Sequence, residues 1–516
     1  MTETTTFTDP TVTPEAVLAS LADAGFHLGR PERARRTLLD TFDLRLRRAR
    51  MRLERRLGAV DELVLTAPGS PPARLGNPCA PERPRRGEDL PAGPFRARLA
   101  SVLEVRALLP LVTVRGTSRI GVKRDANGQA VVTVVMHQRL TLEGGARART
   151  GAPRWVVEVE PLPGFERAAQ RAEALMASLG LRRRPGDVVD LMAAVTGADR
   201  PAFDSSPTIA LDRHRPAYEA FALVLRHLAT SVEANRPGTI DDVDPEFLHD
   251  LRVAVRRTRS VLGEARRVLP PDVRSHHRQE FRWLGTATSP VRDLDVYLIE
   301  WGSYTAALDD GARAALEPAR AHLAARRQTE RAALTRDLRS ARYERLVEGW
   351  LGWLAAPVPG DGPDASTPIG RVASRRIDAA QEAVLGRGRS IGPGSPAEDL
   401  HELRKDAKKL RYLLECFGGL YDPAARQDFV KQLKALQDNL GEHQDAEVHV
   451  AQLKELAGDV HGLPITTPGT MLAMGQLTQQ LDLVRTGARA EFASRFAAYD
   501  TARVRRSLHA LLEATP

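Results

Sequence analysis

Residues 249–259 read H-D-L-R-V-A-V-R-R-T-R, and residues 401–411 read H-E-L-R-K-D-A-K-K-L-R. At an offset of 152 residues His249 matches His401, Arg252 matches Arg404, Arg256 matches Lys408, Arg257 matches Lys409 and Arg259 matches Arg411. The same offset, without a gap, pairs Pro271 with Pro423, Arg282 with Lys434, Leu284 with Leu436, Asp293 with Asp445 and Val296 with Val448. A repeat of this length predicts two similar multi-helix halves about a pseudo-twofold axis.

Each copy opens on a helix-start signal, Asp244-Pro245 in the first and Ser395-Pro396-Ala397-Glu398 in the second. On a helix, a residue and those three, seven and ten positions later fall within an arc of about 80°. His249, Arg252, Arg256 and Arg259 therefore form one stripe, and His401, Arg404, Lys408 and Arg411 form its twin. Arg257 and Lys409 lie on the edges, and Lys405 adds a further cation to the second copy. Arg282 and Lys434 follow on the next helix of each half. Leu251, Val255 and Leu262, with Leu403, Leu410 and Leu414, supply an apolar face for the core.

Like charges three or four residues apart destabilise a helix by a few tenths of a kcal/mol per pair, roughly. A cationic stripe without acids on its own face needs a counter-anion. Arginine forks and lysine ammonium groups both suit phosphate oxygens. Two such stripes facing each other form a basic channel matched to a linear polyanion. The competing reading is a solvated basic face neutralised by neighbouring helices. Asp293 and Asp445, each 44 residues after its histidine, are the candidate acids. Duplication with identical spacing favours the ligand. No HxxxH or HxxE pair accompanies the histidines, and the cations repel a metal, so no metal site is assigned there.

Outward from the repeat, helical periodicity runs from about residue 215 to the end. Breaks are expected at Arg236-Pro237-Gly238, Pro270-Pro271, Ser289-Pro290, Pro357–Pro368, Gly392–Pro396 and Pro464–Gly469. Residues 35–181 have a different texture, with short β-rich runs at Asp61–Thr66, Leu108–Arg115, Ala130–His137 and Trp155–Glu160. Asn127-Gly128 is a hairpin-turn signal, and Pro163 to Leu181 turns helical. The fold class is α+β. A tail and short helix (1–34) lead into a β-rich, tunnel- or barrel-like domain with helices (35–181) and a linker (182–214). An all-α domain (215–512) follows as two pseudo-symmetric four-helix halves, about 215–355 and 367–512.

The chain of 516 residues carries 75 Lys+Arg against 66 Asp+Glu, a formal charge of +9. Arginine dominance can reflect genome composition, so the total says less than its placement. Aromatic residues are only 5%, which argues against stacking platforms for single-stranded nucleic acid. Cys79 and Cys416 cannot build a disulfide framework or a cysteine zinc site. No apolar run approaches the roughly 20 residues of a membrane span. The start, M-T-E-T-T-T-F-T-D-P, has no basic or apolar leader region, so a cytoplasmic protein without a membrane partner is expected.

The H-x-x-R-x-x-x-[RK]-[RK]-x-R stripe, its duplication and the R-D-L-D-V of residues 292–296 resemble the CHAD domain, the conserved histidine α-helical domain. The resemblance covers about 215–510. It implies two four-helix halves about a basic pore that binds inorganic polyphosphate, often at polyphosphate granules. By that resemblance His249, Arg252, Arg256, Arg257, Arg259, Arg282, His401, Arg404, Lys405, Lys408, Lys409, Arg411 and Lys434 are the polyphosphate-binding residues. One departure is local: Thr288-Ser289 stands where that family has Leu-Gly, which the second copy keeps as Leu440-Gly441.

CHAD domains often follow a CYTH domain, the triphosphate tunnel fold. Leu39 to Leu46, L-D-T-F-D-L-R-L, resembles that family's D-T-x-D-L-R-L segment, and Met51–Arg56 its arginine-rich strand. Trp155–Glu160 resembles a late acidic strand, in which Glu158 and Glu160 would help hold metal. Arg55, Arg56, Arg115, Arg119 and Lys123 are the candidate phosphate-binding cations of this domain. The family's opening E-x-E-x-K strand is absent from residues 1–60, Glu54 stands where an arginine is expected, and Leu63–Thr66 lacks the usual lysine. No catalytic residue is therefore assigned, and Mg²⁺ or Mn²⁺ enters only if the domain hydrolyses triphosphate.

Three functions follow in order. Polyphosphate binding by the stripes comes first. Metal-dependent hydrolysis of triphosphate or a nucleoside triphosphate, with the helical domain as targeting module, comes second. Nucleic-acid backbone binding ranks last, since no groove-reading motif is present.

Overall fold

The computed structural model describes residues 4–58, 61–76, 86–143, 152–197 and 209–513. The chain divides into two units, Met1–Asp204 and Ser205–Pro516. Cys79 lies outside the described residues.

The first unit is built on one antiparallel sheet. Along the chain come β1 (Thr5–Thr8), α1 (Pro14–Asp23), β2 (His27–Leu28), β3 (Glu32–Asp40), α2 (Arg45–Arg48), β4 (Arg52–Leu57), β5 (Asp61–Ala67) and β6 (Ser70–Gly76). They are followed by α3 (Pro94–Leu103), β7 (Leu109–Arg124), β8 (Ala130–Leu142), β9 (Trp155–Pro161), α4 (Glu166–Ser178), β10 (Arg182–Arg184) and α5 (Val188–Thr196). The sheet order is β10-β1-β9-β8-β7-β3-β4-β5-β6, with β2 on β7. The β7–β8 hairpin turns at Asn127-Gly128, where Gly128 takes φ +80°, a conformation glycine adopts without strain.

Two expectations need correction here. Thr5–Thr8 is not a tail: it pairs with β9 and β10, and Phe7 joins the core that α1 and α4 cover. Nor are residues 182–214 wholly linker. They contain β10 and α5, whose Val188, Val189 and Met192 pack on Val112, Val114 and Val156. Short strands and a nine-residue helix leave little period in the sequence, and burial decides them.

The second unit is helical: α6 (Ala217–Ile240), α7 (Pro245–Glu264), α8 (Pro271–Thr305), α9 (Asp310–Ala315), α10 (Glu317–Leu338), α11 (Ala341–Ala355), α12 (Ile369–Ser390), α13 (Ala397–Cys416), α14 (Pro423–His461), α15 (Pro468–Tyr499) and α16 (Ala502–Glu513). At the 152-residue offset α6, α7 and α8 begin where α12, α13 and α14 begin. Around the axis the backbones pair reciprocally. Ala217 N–H donates to Thr367 O and Ile369 N–H to Arg215 O, both at 2.9 Å, flanking an antiparallel bridge between Pro216 and Pro368.

Among the described residues the first half holds α6 to α11 and the second α12 to α16, more than the four helices expected of each. Ser340 caps α11 by accepting from the Tyr343 amide and so separates it from α10. Two proline breaks do not occur. α6 runs through Pro237, and α8 runs through Pro290. A proline within a helix costs about 3 kcal/mol. In α6 the last turn is held by burial of Gly238 and Thr239, and the Thr239 hydroxyl donates to the Asn235 carbonyl at 2.9 Å. In α8 the hydroxyls of Thr288 and Ser289 donate back to the Leu284 and Gly285 carbonyls in the preceding turn.

Candidate anion-binding site

Asp244 caps α7 by accepting from the Glu246 and Phe247 amides, which fixes where the first stripe begins. Leu251, Val255 and Leu262 of α7 and Leu403, Leu410 and Leu414 of α13 are buried in one core. The cationic faces are thereby turned outward: Arg256, Arg259, Lys405 and Lys409 are exposed, and Arg252, Arg404, Lys408 and Arg411 half-buried.

The two stripes meet where α7 and α13 cross. Arg257 of α7 pairs with Glu415 of α13 at 2.6 Å, and Lys409 of α13 pairs with Glu264 of α7 at 2.8 Å. Lys408 stands in this convergence. Burial first, then Arg404 and Arg256, pulls its ammonium down to about 8, with Asp445 opposing. Arg256 of one half thus acts on Lys408 of the other.

Equivalent residues are handled differently in the two halves. Arg252 Nη1 donates to Ser289 Oγ at 2.8 Å, Thr288 Oγ1 at 3.1 Å and Gly285 O at 3.2 Å. Thr288-Ser289, the departure from the family pattern, is therefore what holds this arginine. Burial, with the charges of Arg256, Arg292 and Arg259, lowers its guanidinium to about 10 against the pull of Asp293. Arg404 instead pairs with Asp445 at 2.8 Å. The acid proposed as a neutralising partner thus pairs with the arginine in the second half. No ion pair joins its counterpart Asp293 to Arg252 among the described residues. His401 Nδ1 lies 2.5 Å from Gln444 Oε1, while His249 is half-buried on α7. Glu398, His401 and Glu402 bring one ligand atom each within 4.8 Å of one another, at an E-x-x-H-E spacing distinct from HxxE. Lys405 occupies Glu402 there.

In the first unit the sheet rolls up. Glu158 of β9 and Arg36 of β3 are three strands apart, roughly 14 Å along a flat sheet. Their side chains nevertheless meet at 3.0 Å. The concave face is filled by charges, of which Arg36, Arg52, His137 and Asp187 carried no assignment from the sequence. The Arg36 guanidinium sits among Glu54, Glu158 and Asp187, all buried. Arg52 reaches Asp187 at 2.7 Å, Arg56 reaches Glu54 at 3.1 Å, and His137 Nε2 lies 3.1 Å from Glu158. The Val188 amide of α5 donates to Glu158 at 2.6 Å. Burial, and then Glu158 beside it, raises the Glu160 carboxyl. A divalent cation does not fit this donor set, because a guanidinium already occupies the space between the carboxylates.

Of the cations assigned to this domain, only Arg56 joins that cluster. Arg55 pairs with Asp61 at 2.6 Å, and Arg115 pairs with Glu143. Arg119 is in register with Met136, which belongs to the core on the other face of the sheet. Lys123 donates to the Ala24 carbonyl at 2.7 Å, over the Phe26 ring. Strand alternation carries the signal: β3 and β4 place Arg36, Glu54 and Arg56 on one face and Arg55 on the other.

No helix is long and apolar enough to cross a membrane among the described residues. The model of the CHAD domain matches residues 220–454. Two uncharacterized proteins of Mycobacterium tuberculosis, from strains CDC 1551 and H37Rv, are 27% identical over 272 residues. That alignment covers 50% of this chain and 48% of each relative, so the chain spans about half their length. A CHAD domain from the plant Ricinus communis is similar over 59% of this chain and 96% of its own, with 29% identity and a TM-score of 0.44. At the N-terminal region a Hippeastrum protein described by a dominant triphosphatase activity is similar over 38% of this chain and 96% of its own, with 13% identity and a TM-score of 0.28.

Proposed function

With a CHAD domain at residues 220–454 as premise, we propose that this protein binds linear inorganic polyphosphate along the paired stripes of α7 and α13. The observation that carries this reading is the meeting of the stripes, where Arg257 pairs with Glu415 and Lys409 with Glu264, in a cluster whose cations outnumber the acids that face them. Phosphate oxygens satisfy guanidinium and ammonium groups by charge-assisted hydrogen bonds and lift the mutual repulsion. A polyanion with a negative charge at every link suits a row of cations better than a single small anion does. No bond is broken in this function. Association with polyphosphate granules would follow from the same contacts.

The first unit supports a non-catalytic role in this reading. Glu158, the carboxylate a hydrolase would use, is engaged by Arg36, His137 and the Val188 amide. Binding of long-chain polyphosphate to wild type and to an Arg252→Glu/Arg404→Glu variant, with folding checked by circular dichroism, tests the proposal. Loss of binding in the folded variant is expected. Unchanged binding would overturn the site.

A further inference from the structure

Five of the six basic residues assigned to the second half, Arg404, Lys405, Lys409, Arg411 and Lys434, have a carboxylate oxygen at 2.5–2.8 Å. In the first half Arg256, Arg259 and Arg282 have no ion-pair partner among the described residues, and neither does Arg278. All four are exposed.

Several differences between the halves contribute, among them Gly263 where the second half has Glu415, the acid that pairs with Arg411. Asp438, which accepts from Lys434, corresponds to Thr286. Val430 corresponds to Arg278, and Gln437 corresponds to Gly285. Arg278, Arg282 and Gly285 share one face of α8, at spacings of four and three residues. Glycine leaves the backbone bare there, and Arg259 lies across it with Nη1 3.0 Å from the place a β-carbon would take. The charges acting on Arg259 are those of Arg282, Arg278 and Arg256, all cations. In the second half Gln437 occupies that place, donating to the Ala407 carbonyl at 2.7 Å, and Arg411 turns back to Glu415 at 2.7 Å. Among the described residues no carboxylate forms an ion pair with Arg256, Arg259, Arg278 or Arg282, so an anion from outside can neutralise this cluster.

We propose that Arg259, Arg278 and Arg282, gathered about Gly285, form the anchoring phosphate subsite, and that the second half joins only when a longer chain displaces its carboxylates. The ligand chemistry is the phosphoryl oxyanion of a linear phosphoanhydride. The inference rests on the polyphosphate reading and adds an order to it: anchor first, second stripe afterwards.

Titration calorimetry of the full chain at one ionic strength, with orthophosphate, tripolyphosphate and long-chain polyphosphate, tests it. Arg278→Gln/Arg282→Gln should weaken tripolyphosphate binding at least ~10-fold, the scale of one or two lost charge-assisted bonds. Lys409→Gln/Arg411→Gln should change it less than ~2-fold, yet weaken the long chain clearly. Gly285→Gln, which copies the second half, should reproduce the first loss while leaving both arginines in place. Equal tripolyphosphate losses from the two double variants, or a larger loss from the second, would overturn the anchor while leaving polyphosphate binding intact. A wild type that binds neither polymer would overturn the reading itself. Orthophosphate binding as tight as tripolyphosphate would show a single-ion site and overturn the chain-anchoring role.

Discussion

Arg259 lies over Gly285, a contact that its symmetry mate Arg411 cannot make because Gln437 fills the equivalent position. The repeat therefore generates two helix pairs of one geometry with different electrostatics. Glycine in a helix interior is disfavoured by about 1 kcal/mol against alanine. Gly285→Ala should thus hold or slightly raise the melting temperature while lowering polyphosphate affinity. Thermal unfolding and calorimetry on one preparation check both signs.

Salt dependence reads the number of phosphate contacts. Each one released lowers the slope of log K against log salt by somewhat under one for a polyelectrolyte, about 0.7–0.9. Arg259→Gln should flatten that slope for long-chain polyphosphate by about this amount. An unchanged slope would place Arg259 outside the contact.

Glu415 holds Arg257 at 2.6 Å and Arg411 at 2.7 Å. Glu415→Gln frees both for an incoming anion and removes a half-buried pairing. Polyphosphate affinity should rise several-fold, roughly the worth of one charged contact, while stability falls by about 2 kcal/mol. Urea unfolding alongside binding separates the two effects.

Lys408 gives the site a pH dependence of opposite sign in the free and bound protein. Its folded value, about 8, lies below the ordinary lysine value, chiefly through burial. The free protein therefore gains stability as pH rises from about 8 toward the ordinary lysine range, where the unfolded chain still holds the proton. Polyphosphate affinity should fall across the same window, because the cation is lost. Lys408→Gln should remove both trends, which unfolding and binding measured across that pH range would reveal.

Arg36 is the internal counter-ion of the first unit. Arg36→Gln leaves Glu54, Glu158 and Asp187 facing one another without it, and should cost about 3–5 kcal/mol. Burial alone would raise the Glu158 carboxyl, but Arg36 and then His137 hold it down at about 2. In wild type this stabilisation is present above the ordinary glutamate value and lost as pH falls toward about 2. The deficit of the variant should therefore shrink on acidification. Denaturant unfolding at two pH values checks it.

Much of the helical unit was legible from residues 249–259 and 401–411. Charge type, helix period and a constant offset are all one-dimensional properties, so the sequence alone determined the two stripes, their pairing and the axis that Pro216 and Pro368 mark. Partner choice is not one-dimensional. Whether Arg252 meets Thr288 and Ser289 or an aspartate depends on how α7 crosses α8. The continuity of α8 through Pro290 was likewise not legible from the proline itself.

In the first unit β5, β7, β8 and β9 were legible from their β-rich runs, but the short strands β1 and β10 and the rolled sheet that brings Glu158 to Arg36 were not. Residues far apart in the chain and three strands apart in the sheet meet only once curvature is set, and curvature is a sum over many weak steric preferences. Composition and period determined where the cations lie along each element. Only the tertiary structure decided which of them are neutralised from within and which remain open to an anion, because a charge is compensated across space and not along the chain.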